Sequence, residues 1–406
     1  MTQALAEAVE AAFEREVAFL QALVRRPCDN PPGDCAAHGE ATAELLSELG
    51  FEVERHRVPE PLCRANGMIS ATNLIVRRRF GEGPVIALNA HGDVVPPGDG
   101  WSVDPYGAEI RDGWLYGRGA AVSKSDFATY AFAALALEAA ARPRAGTLEL
   151  HLTYDEEAGG AIGPKWLLDE GLSKPDYAVS AGFSYNVVTA HNGCLHLDVG
   201  VRGKSAHAAK PETGHDALEA ATAIMTAIYA GRAELSGIAS RIPGIGPPKV
   251  NIGLISGGIN TNVVPDRVNL RIDRRLIPEE DAARVETGLR AMIGEAIGRH
   301  PGISADVERI LLARPLMPVG DAERLADIFS RHASEVMREP VPRVGVPLYT
   351  DARHYAAAGV PTILYGAGPR SIEEANAHRA DERVPLADLR SATIVVARAL
   401  SEILGA

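Results

Sequence analysis

The stretch "PVIALNAHGDVV", residues 84–95, gives the clearest indication of the fold in this chain of 406 residues. It begins as an apolar run of strand length and ends in polar residues, with His91 and Asp93 two positions apart. Open α/β sheets collect their ligands at the carboxyl ends of such strands. His91 could therefore bind a metal while Asp93 fixes its tautomer, although the same pair also occurs in ordinary polar loops.

Strands and helices alternate on both sides of this stretch. The apolar runs are "TNLIVRRRF", "TLELHLTYD" and "DYAVSAG", and helical patterns cover residues 126–141 and 162–170. Such alternation predicts an α/β fold with a mainly parallel, helix-covered sheet. From Gly193 onward the order strand, helix, strand, strand, helix predicts a small inserted α+β domain with one open sheet face. We therefore predict a discontinuous catalytic domain, residues 1–192 and 304–406, interrupted by residues 193–303.

Composition excludes several classes of protein. The chain has 41 basic and 53 acidic residues, a net charge of -12, and no basic cluster that alternates with aromatic residues, so nucleic acid is not an expected partner. The N-terminal segment lacks the pattern of a signal peptide, and no apolar run is long enough to span a membrane. The cysteines are too few and too irregularly spaced for a disulfide framework. A cytoplasmic protein is expected. The cysteines are Cys28, Cys35, Cys63 and Cys194.

The segment "DEEAGG", residues 155–160, places adjacent carboxylates at the end of a strand. Such carboxylates repel each other unless a positive charge is bound between them. One of Glu156 and Glu157 could coordinate a metal while the other takes a proton from an activated water. The alternative is a solvated acidic loop that ends in two glycines.

Two further histidines lie in polar segments. His378 lies in "EEANAHRADERV", and His207 lies in "VRGKSAHAAKPETG". Each by itself is typical of a surface histidine. Only the order and spacing of all four segments together favour an active site.

These segments resemble the family that contains acetylornithine deacetylase, succinyl-diaminopimelate desuccinylase, aminoacylase and carboxypeptidase G. The similarity runs from "PCDNPPGD" to "AHRADERV" and covers nearly the whole chain. It implies a zinc-peptidase-like catalytic domain with an inserted ferredoxin-like domain that serves as lid and dimerisation domain. It therefore also implies a homodimer. The matching segments are "NAHGDVVP", "LYGRGAA", "YDEEAGG", "VRGKSAHAAKPETGHDAL", "NTNVVPDRVNLRIDRR", "TDAR" and "AHRADE".

The resemblance implies a role for each polar residue at the predicted metal site. His91 would bind one metal ion, with Asp93 behind it. Glu157 and His378 would bind the other ion. Glu156 would be the general base that takes a proton from the attacking water.

It also implies roles for three residues of the inserted domain. His207 would reach the active site of the partner subunit and stabilise the oxyanion, so the dimer would be needed for activity. Asn262 and Arg275 would contact the substrate. Because a guanidinium can donate two parallel hydrogen bonds to a carboxylate, Arg275 indicates an anionic substrate.

The chain departs from the family pattern at two ligand positions. The family's "GRGAADMKG" appears as "GRGAAVSKS", which puts Val122 at the bridging aspartate, and "GEPT" aligns with "AGFSY", which puts Phe183 at a carboxylate ligand. Both losses affect the ion near His91, and neither side chain can coordinate a metal. We therefore expect one divalent ion per chain, zinc or manganese, held by His91, Glu157 and His378, and not a two-metal site.

Other residues could take over from the lost ligands. Asp126 lies four residues after Val122 and could reach inward or cap a helix. Ser123, Tyr185 and His191 could instead serve a metal-free site. The segment "YTDARHY", with Asp351, Arg353 and His354, could face the substrate or cap a helix.

The predicted function is hydrolysis of an amide-type C–N bond by metal-activated water, with Glu156 as general base. The expected substrate is a small carboxylate-bearing molecule, an N-acyl amino acid or a dipeptide-like compound. Two alternatives remain open. The first is a metal-free enzyme for isomerisation or elimination by proton transfer, and the second is a non-catalytic binder of amino-acid derivatives.

Overall fold

The computed structural model describes residues 1–141 and 143–405, which form two compact units. Unit 1 comprises Met1–Thr189, Pro318–Val344 and Thr350–Ala406, and unit 2 comprises Ala190–Met317 and Gly345–Tyr349. The first predicted boundary, between residues 192 and 193, falls close to the observed division. The second, between residues 303 and 304, falls well before the end of unit 2 at Met317. Unit 2 also takes in Gly345–Tyr349, which nothing in the sequence indicated.

The strands follow in chain order. They are β1 (Val53–Arg57), β2 (Thr72–Arg79), β3 (Val85–His91), β4 (Glu109–Arg111), β5 (Trp114–Tyr116), β6 (Thr147–Thr153), β7 (Tyr177–Ser180), β8 (Val187–His191), β9 (Gly193–Arg202), β10 (Ala206–His207), β11 (Lys249–Gly257), β12 (Val263–Val264), β13 (Arg267–Leu276), β14 (Ser304–Ala313), β15 (Arg343–Val346), β16 (Thr362–Leu364) and β17 (Arg383–Pro385).

The α-helices are α1 (Thr2–Val24), α2 (Ala36–Glu48), α3 (Glu60–Ala65), α4 (Lys124–Ala136), α5 (Pro164–Asp169), α6 (Ala217–Ala230), α7 (Arg232–Ser236), α8 (Ala282–Ile297), α9 (Ala322–Met337), α10 (Ala352–Ala357), α11 (Ile372–Ala375) and α12 (Leu386–Ile403). A π-helical turn, Leu137–Ala141, continues α4. No helix among the described residues is both long enough and apolar enough to cross a membrane.

Unit 1 is built on an eight-stranded sheet in the order β1-β2-β6-β3-β7-β16-β8-β15. The four central strands, β6, β3, β7 and β16, are parallel, as predicted. The pairs β1-β2, β2-β6 and β16-β8 are antiparallel. Strand β3 is buried along nearly its whole length because its apolar side chains face helices on both sides of the sheet. The register places His91 beside Thr153, so the segments that follow β3 and β6 leave the sheet at the same edge.

Helix α4 is buried on all sides. Its segment is rich in alanine and aromatic residues, which is typical of a helix that other elements cover completely. Phe132 packs edge-on against Phe19 of α1, and the Tyr130 hydroxyl donates to the carbonyl oxygen of Tyr365. This packing fixes the start of α4, and with it the preceding loop that carries Val122.

Unit 2 has a four-stranded antiparallel sheet in the order β11-β13-β9-β14. With α6 after β9 and α8 after β13, this is the ferredoxin-like arrangement that was predicted. Its core joins the sheet to both helices through residues such as Leu197, Ile224 and Ile293. Strand β14 pairs with β9 along its length, so the insertion continues beyond residue 303. Strand periodicity in "SADVERILLA" could not show which sheet this strand would join.

Candidate active site

The candidate site of unit 1 lies where β3 and β6 end. His91 is the last residue of β3, and the acidic segment follows two residues after the end of β6. The Nδ1 atom of His91 lies 2.9 Å from the carbonyl oxygen of Asp93 and 3.4 Å from its carboxylate Oδ1. The ring is thereby held through Nδ1, and Nε2 is the nitrogen that could face a metal.

Asp93 is fully buried and holds the acidic segment in place. Its Oδ1 accepts the backbone N–H of Glu156 at 3.2 Å, and its Oδ2 accepts that of Glu157 at 3.1 Å. Oδ2 also accepts a hydrogen bond from the Asn30 side chain at 2.9 Å. Sequence reasoning placed Asp93 behind His91 but missed Asn30, although the "PCDNPPGD" segment belonged to the similarity.

Four of the predicted site residues come together. One ligand atom each of His91, Glu156 and Glu157 lies within 4.8 Å of the others. His378, in a left-handed backbone conformation with φ of 60°, places Nε2 3.2 Å from Glu157 Oε1. Histidine nitrogens and carboxylate oxygens are suitable zinc or manganese ligands, so the cluster of His91, Glu156 and Glu157 could hold a divalent ion, and His378 contacts this cluster through Glu157.

Electrostatics at this cluster favour a bound cation. Burial, together with the charges of Glu157 and Asp93, raises the pKa of Glu156 to about 7, although His91 opposes the shift. Burial disfavours a charged His91, but its hydrogen bond to Asp93 and the charge of Glu156 raise the pKa of the ring well above 6.5. The site therefore carries excess negative charge, which a divalent cation would offset.

Val122 lies on a loop that is fixed beside His91. The Ser123 hydroxyl accepts the backbone N–H of His91 at 3.1 Å and donates to the His91 carbonyl at 3.2 Å. Glu382 Oε1 accepts the N–H groups of Ala121 and Val122, both at 3.1 Å. The Val122 side chain is half-buried against the main apolar core. The loop therefore keeps its position next to His91 but offers a hydrocarbon there.

Phe183 is also held in a defined place. It forms a parallel bridge with Gly368, whose N–H donates to the Gly182 carbonyl at 3.1 Å. A Cβ atom at position 368 would lie only 3.0 Å from Phe183 Cδ1, so the ring packs directly against this glycine. Neither Val122 nor Phe183 offers an atom that can coordinate a metal, whereas His91, Glu156 and Glu157 lie close enough together to hold one.

The residues considered as replacements already have hydrogen-bond partners. Asp126 Oδ1 accepts the N–H of Ala367 at 2.7 Å, and burial raises its pKa to about 7. The Tyr185 hydroxyl donates to Asp388 at 2.8 Å. Ser123 bonds to the backbone of His91. His191 lies in unit 2, and its Nδ1 lies 2.8 Å from the Asn192 carbonyl oxygen. The three-residue cluster at the site includes neither Asp126 nor His191.

The "YTDARHY" segment hydrogen-bonds to the end of the acidic loop, at Gly159. Arg353 Nη2 and His354 Nε2 lie 2.5 and 3.0 Å from the Gly159 carbonyl oxygen. Burial and the nearby Arg353 lower the pKa of His354 to about 3, so the neutral ring donates this hydrogen bond. Asp351 Oδ1 lies so close to Gly160 that a Cβ atom there would approach within 2.1 Å. Gly160 also has φ of 67°, so glycine is required on both counts.

The other predicted site residues lie in unit 2. His207, on β10, pairs with Val263, and the N–H of Ala208 donates to the Asn262 carbonyl oxygen at 3.0 Å, so exposed His207 and exposed Asn262 are neighbours. Arg275 Nε lies 3.0 and 3.2 Å from the carboxylate oxygens of Asp273. The catalytic and substrate-binding roles of these residues stay predictions.

Comparison with known proteins places this arrangement in a family. Residues 87–402 match the model of peptidase family M20/M25/M40. The chain belongs to this family. An acetylornithine deacetylase from Myxococcus xanthus is 30% identical over 370 residues, 89% of this chain and 90% of its own. A succinyl-diaminopimelate desuccinylase from Acidiphilium cryptum is 28% identical over 377 residues, 89% of this chain and 91% of its own.

A solved structure gives the same result for the fold. The YXEP protein of Bacillus subtilis, described as a dinuclear metal-binding peptidase of the M20 family, superposes with a TM-score of 0.70 and 16% identity over 98% of this chain and 99% of its own. The M20 protein described here is a hydrolase of the amidohydrolase and peptidase type. The resemblance expected from its motifs is thereby confirmed.

Proposed function

We propose that this M20 hydrolase cleaves the amide-type C–N bond of a small carboxylate-bearing substrate, an N-acyl amino acid or a dipeptide-like compound, with one divalent ion per chain. The observation that carries the proposal is the cluster of His91, Glu156 and Glu157, which His378 contacts through Glu157, combined with hydrocarbon side chains at Val122 and Phe183. The names of the deacetylase and desuccinylase relatives support an acylated amino-acid derivative as substrate.

The proposed ion, zinc or manganese, would be held by His91, Glu157 and His378. When bound, it supplies Lewis-acid activation of water at neutral pH. Glu156 lies beside these ligands and takes a proton from the attacking water. As the protonated carboxyl it would then deliver that proton to the leaving nitrogen. Asp93 fixes the backbone of Glu156 and the ring of His91 in one arrangement.

Unit 2 would bind the remainder of the substrate. Arg275 is proposed to hold the carboxylate, and Asn262 and His207 are proposed to contact the scissile carbonyl. In this proposal unit 2 acts as the lid and dimerisation domain, and His207 acts in the partner subunit. An edge strand supports the homodimer, because β11 exposes Leu254 and Ile255 at 59% and 53% and its outer edge pairs with no described strand.

The test is metal analysis of the protein purified without chelator, together with hydrolysis of a panel of N-acetyl and N-succinyl amino acids and dipeptides. We expect about one ion per chain, loss of activity on chelation, and recovery with zinc or manganese. Glu156→Gln should lower kcat by about 10²- to 10⁴-fold while the ion remains bound. The exposed Glu170→Gln is the matched control and should leave kcat unchanged.

The opposite result would point to a different reaction. Full turnover of a metal-free preparation, unaffected by added metal, would contradict the proposed role of the ion. The hydrocarbon at Val122 and Phe183 would then favour the metal-free alternative, proton transfer by Glu156 in an isomerisation or elimination. A dimer-breaking charge at Leu254 that left activity intact in a monomer would contradict the role of His207 in the partner subunit.

A further inference from the structure

A second cluster of potential metal ligands lies in unit 2, on the face of its sheet opposite α6 and α8. Cys194 and His196 are two residues apart on β9, so they point to the same face. The register of β9 with β13 places Asp273 directly opposite His196, and Arg275 opposite Cys194. Three potential ligands from two hydrogen-bonded strands therefore face one another.

Their spacing matches a tetrahedral metal site. Cys194 Sγ lies 3.1 Å from His196 Nε2 and 3.5 Å from Asp273 Oδ1, and His196 Nε2 lies 3.6 Å from Asp273 Oδ2. Zinc bonds of about 2.3 Å to sulfur and about 2.0 Å to nitrogen and oxygen separate neighbouring ligand atoms by about 3.3 to 3.6 Å in a tetrahedron. The two separations to Asp273 fall in this range, and the Cys194–His196 separation of 3.1 Å is somewhat shorter.

The surroundings also suit a cation with one open position. Cys194 is buried, whereas the side chains of His196 and Asp273 are 34% and 31% exposed, which leaves a solvent side for a water ligand. Arg275 Nε donates to the carboxylate of Asp273 and fixes its orientation, as outer partners of metal ligands commonly do. The Cys194 thiolate and the Asp273 carboxylate supply two negative charges, and the guanidinium of Arg275 adds one positive charge beside them.

We propose that unit 2 carries a zinc site formed by the Cys194 thiolate, His196 Nε2 and the Asp273 carboxylate, with water as fourth ligand. Binding replaces the thiol proton of Cys194, which is released to solvent. The ion links β9 to β13. Because Asp273 also holds Arg275, it fixes the guanidinium that faces the proposed substrate carboxylate. That last consequence rests on the proposed function, whereas the metal site does not.

The test is a cobalt titration of the full-length, metal-free protein. Cobalt(II) occupies zinc sites, and a thiolate ligand adds an intense near-ultraviolet charge-transfer absorption. The proposed hydrolytic site offers only nitrogen and oxygen donors, so this absorption reports ligation by cysteine. We expect the absorption in the wild-type protein, its disappearance on addition of zinc, and its absence in Cys194→Ser. In His196→Ala we expect cobalt affinity at this site to fall by more than about tenfold.

Controls separate this site from the hydrolytic one. Cys63→Ser changes a buried cysteine of unit 1 and should leave the absorption unchanged. The double substitution His91→Ala and Glu157→Gln should abolish hydrolysis and keep the absorption, so the two proposals fail independently. Absence of the thiolate absorption in the wild-type protein, or its persistence in both Cys194→Ser and His196→Ala, would overturn the zinc site.

Discussion

The carboxylate of Glu382 accepts the backbone N–H of Val122 at 3.1 Å. The same carboxylate pairs with Arg118 at 2.6 Å, and both side chains are 1% exposed. The loop that carries Val122 is thus fixed by a buried ion pair and by Ser123, although its side chain cannot bind a metal. The backbone of this loop is therefore held in place without any metal ligand at position 122.

This arrangement predicts that the second metal position can be rebuilt. The double substitution Val122→Asp and Phe183→Glu should raise the bound metal from about one ion to about two per chain. It places one carboxylate on the loop held beside His91 and one on the segment that pairs with Gly368. Metal analysis after dialysis against zinc measures the change. Val122→Ala with Phe183→Leu is the hydrocarbon control and should stay at one ion. A folded acidic variant that still binds one ion would contradict the prediction.

Asp93→Asn should weaken metal binding by about 10- to 100-fold. The substitution preserves the shape of the side chain but removes the charge that receives the N–H groups of Glu156 and Glu157. Competition with a chromophoric chelator measures the affinity. Asp99 is an exposed residue of the same loop region, and Asp99→Asn should leave the metal affinity unaltered. Equal affinities for the two variants would show that Asp93 does not position the ligands.

Glu382→Gln should lower the free energy of unfolding by about 3–5 kcal/mol, because it leaves the buried charge of Arg118 without its partner. Urea denaturation at neutral pH measures the loss. Asp169→Asn removes one member of the exposed Lys165–Asp169 pair and should leave the denaturation midpoint in place. A stability loss no larger than that of the control would argue against the buried pair.

Because of Glu16, the free energy of unfolding should fall as pH rises. It is fully buried between α1 and α12, Thr393 donates to its Oε1, and its Oε2 has no hydrogen-bond partner among the described residues. Burial, only partly opposed by Thr393 and Arg390, raises its pKa from 4.5 to about 8. The folded protein therefore keeps a proton that the unfolded chain has lost.

Between pH 4.5 and about 8 this group lowers the free energy of unfolding by about 1.4 kcal/mol for each pH unit. Its contribution is fully present below pH 4.5 and is lost as pH approaches the folded pKa. Denaturation curves at pH 6 and pH 8 test this, and Glu16→Gln should show a smaller fall than the wild-type protein. The same fall in both proteins would remove Glu16 as the cause.

The sequence by itself determined the fold class, and it predicted most residues of the candidate site in unit 1. Apolar runs that end in "NAHGDVV" and "TYDEEAGG" predicted parallel strands, and parallel strands bring His91 and Glu156 to one edge. The sequence also showed that Val122 and Phe183 depart from the family pattern at two metal-ligand positions. These predictions rest on the periodicity of apolar residues within each segment and on the chemical type of single residues. Both properties can be read from residues that are close together in the chain.

Only the tertiary structure decided which distant groups meet. Asn30 binds Asp93 across 63 positions, and Arg353 binds the Gly159 carbonyl across 194. The pairing of β14 with β9, and the approach of Asp273 to Cys194, likewise depend on strand register. Hydrogen bonds and strand pairs between remote segments produce no repeating pattern in the sequence. Which segments meet depends on the packing of the whole unit.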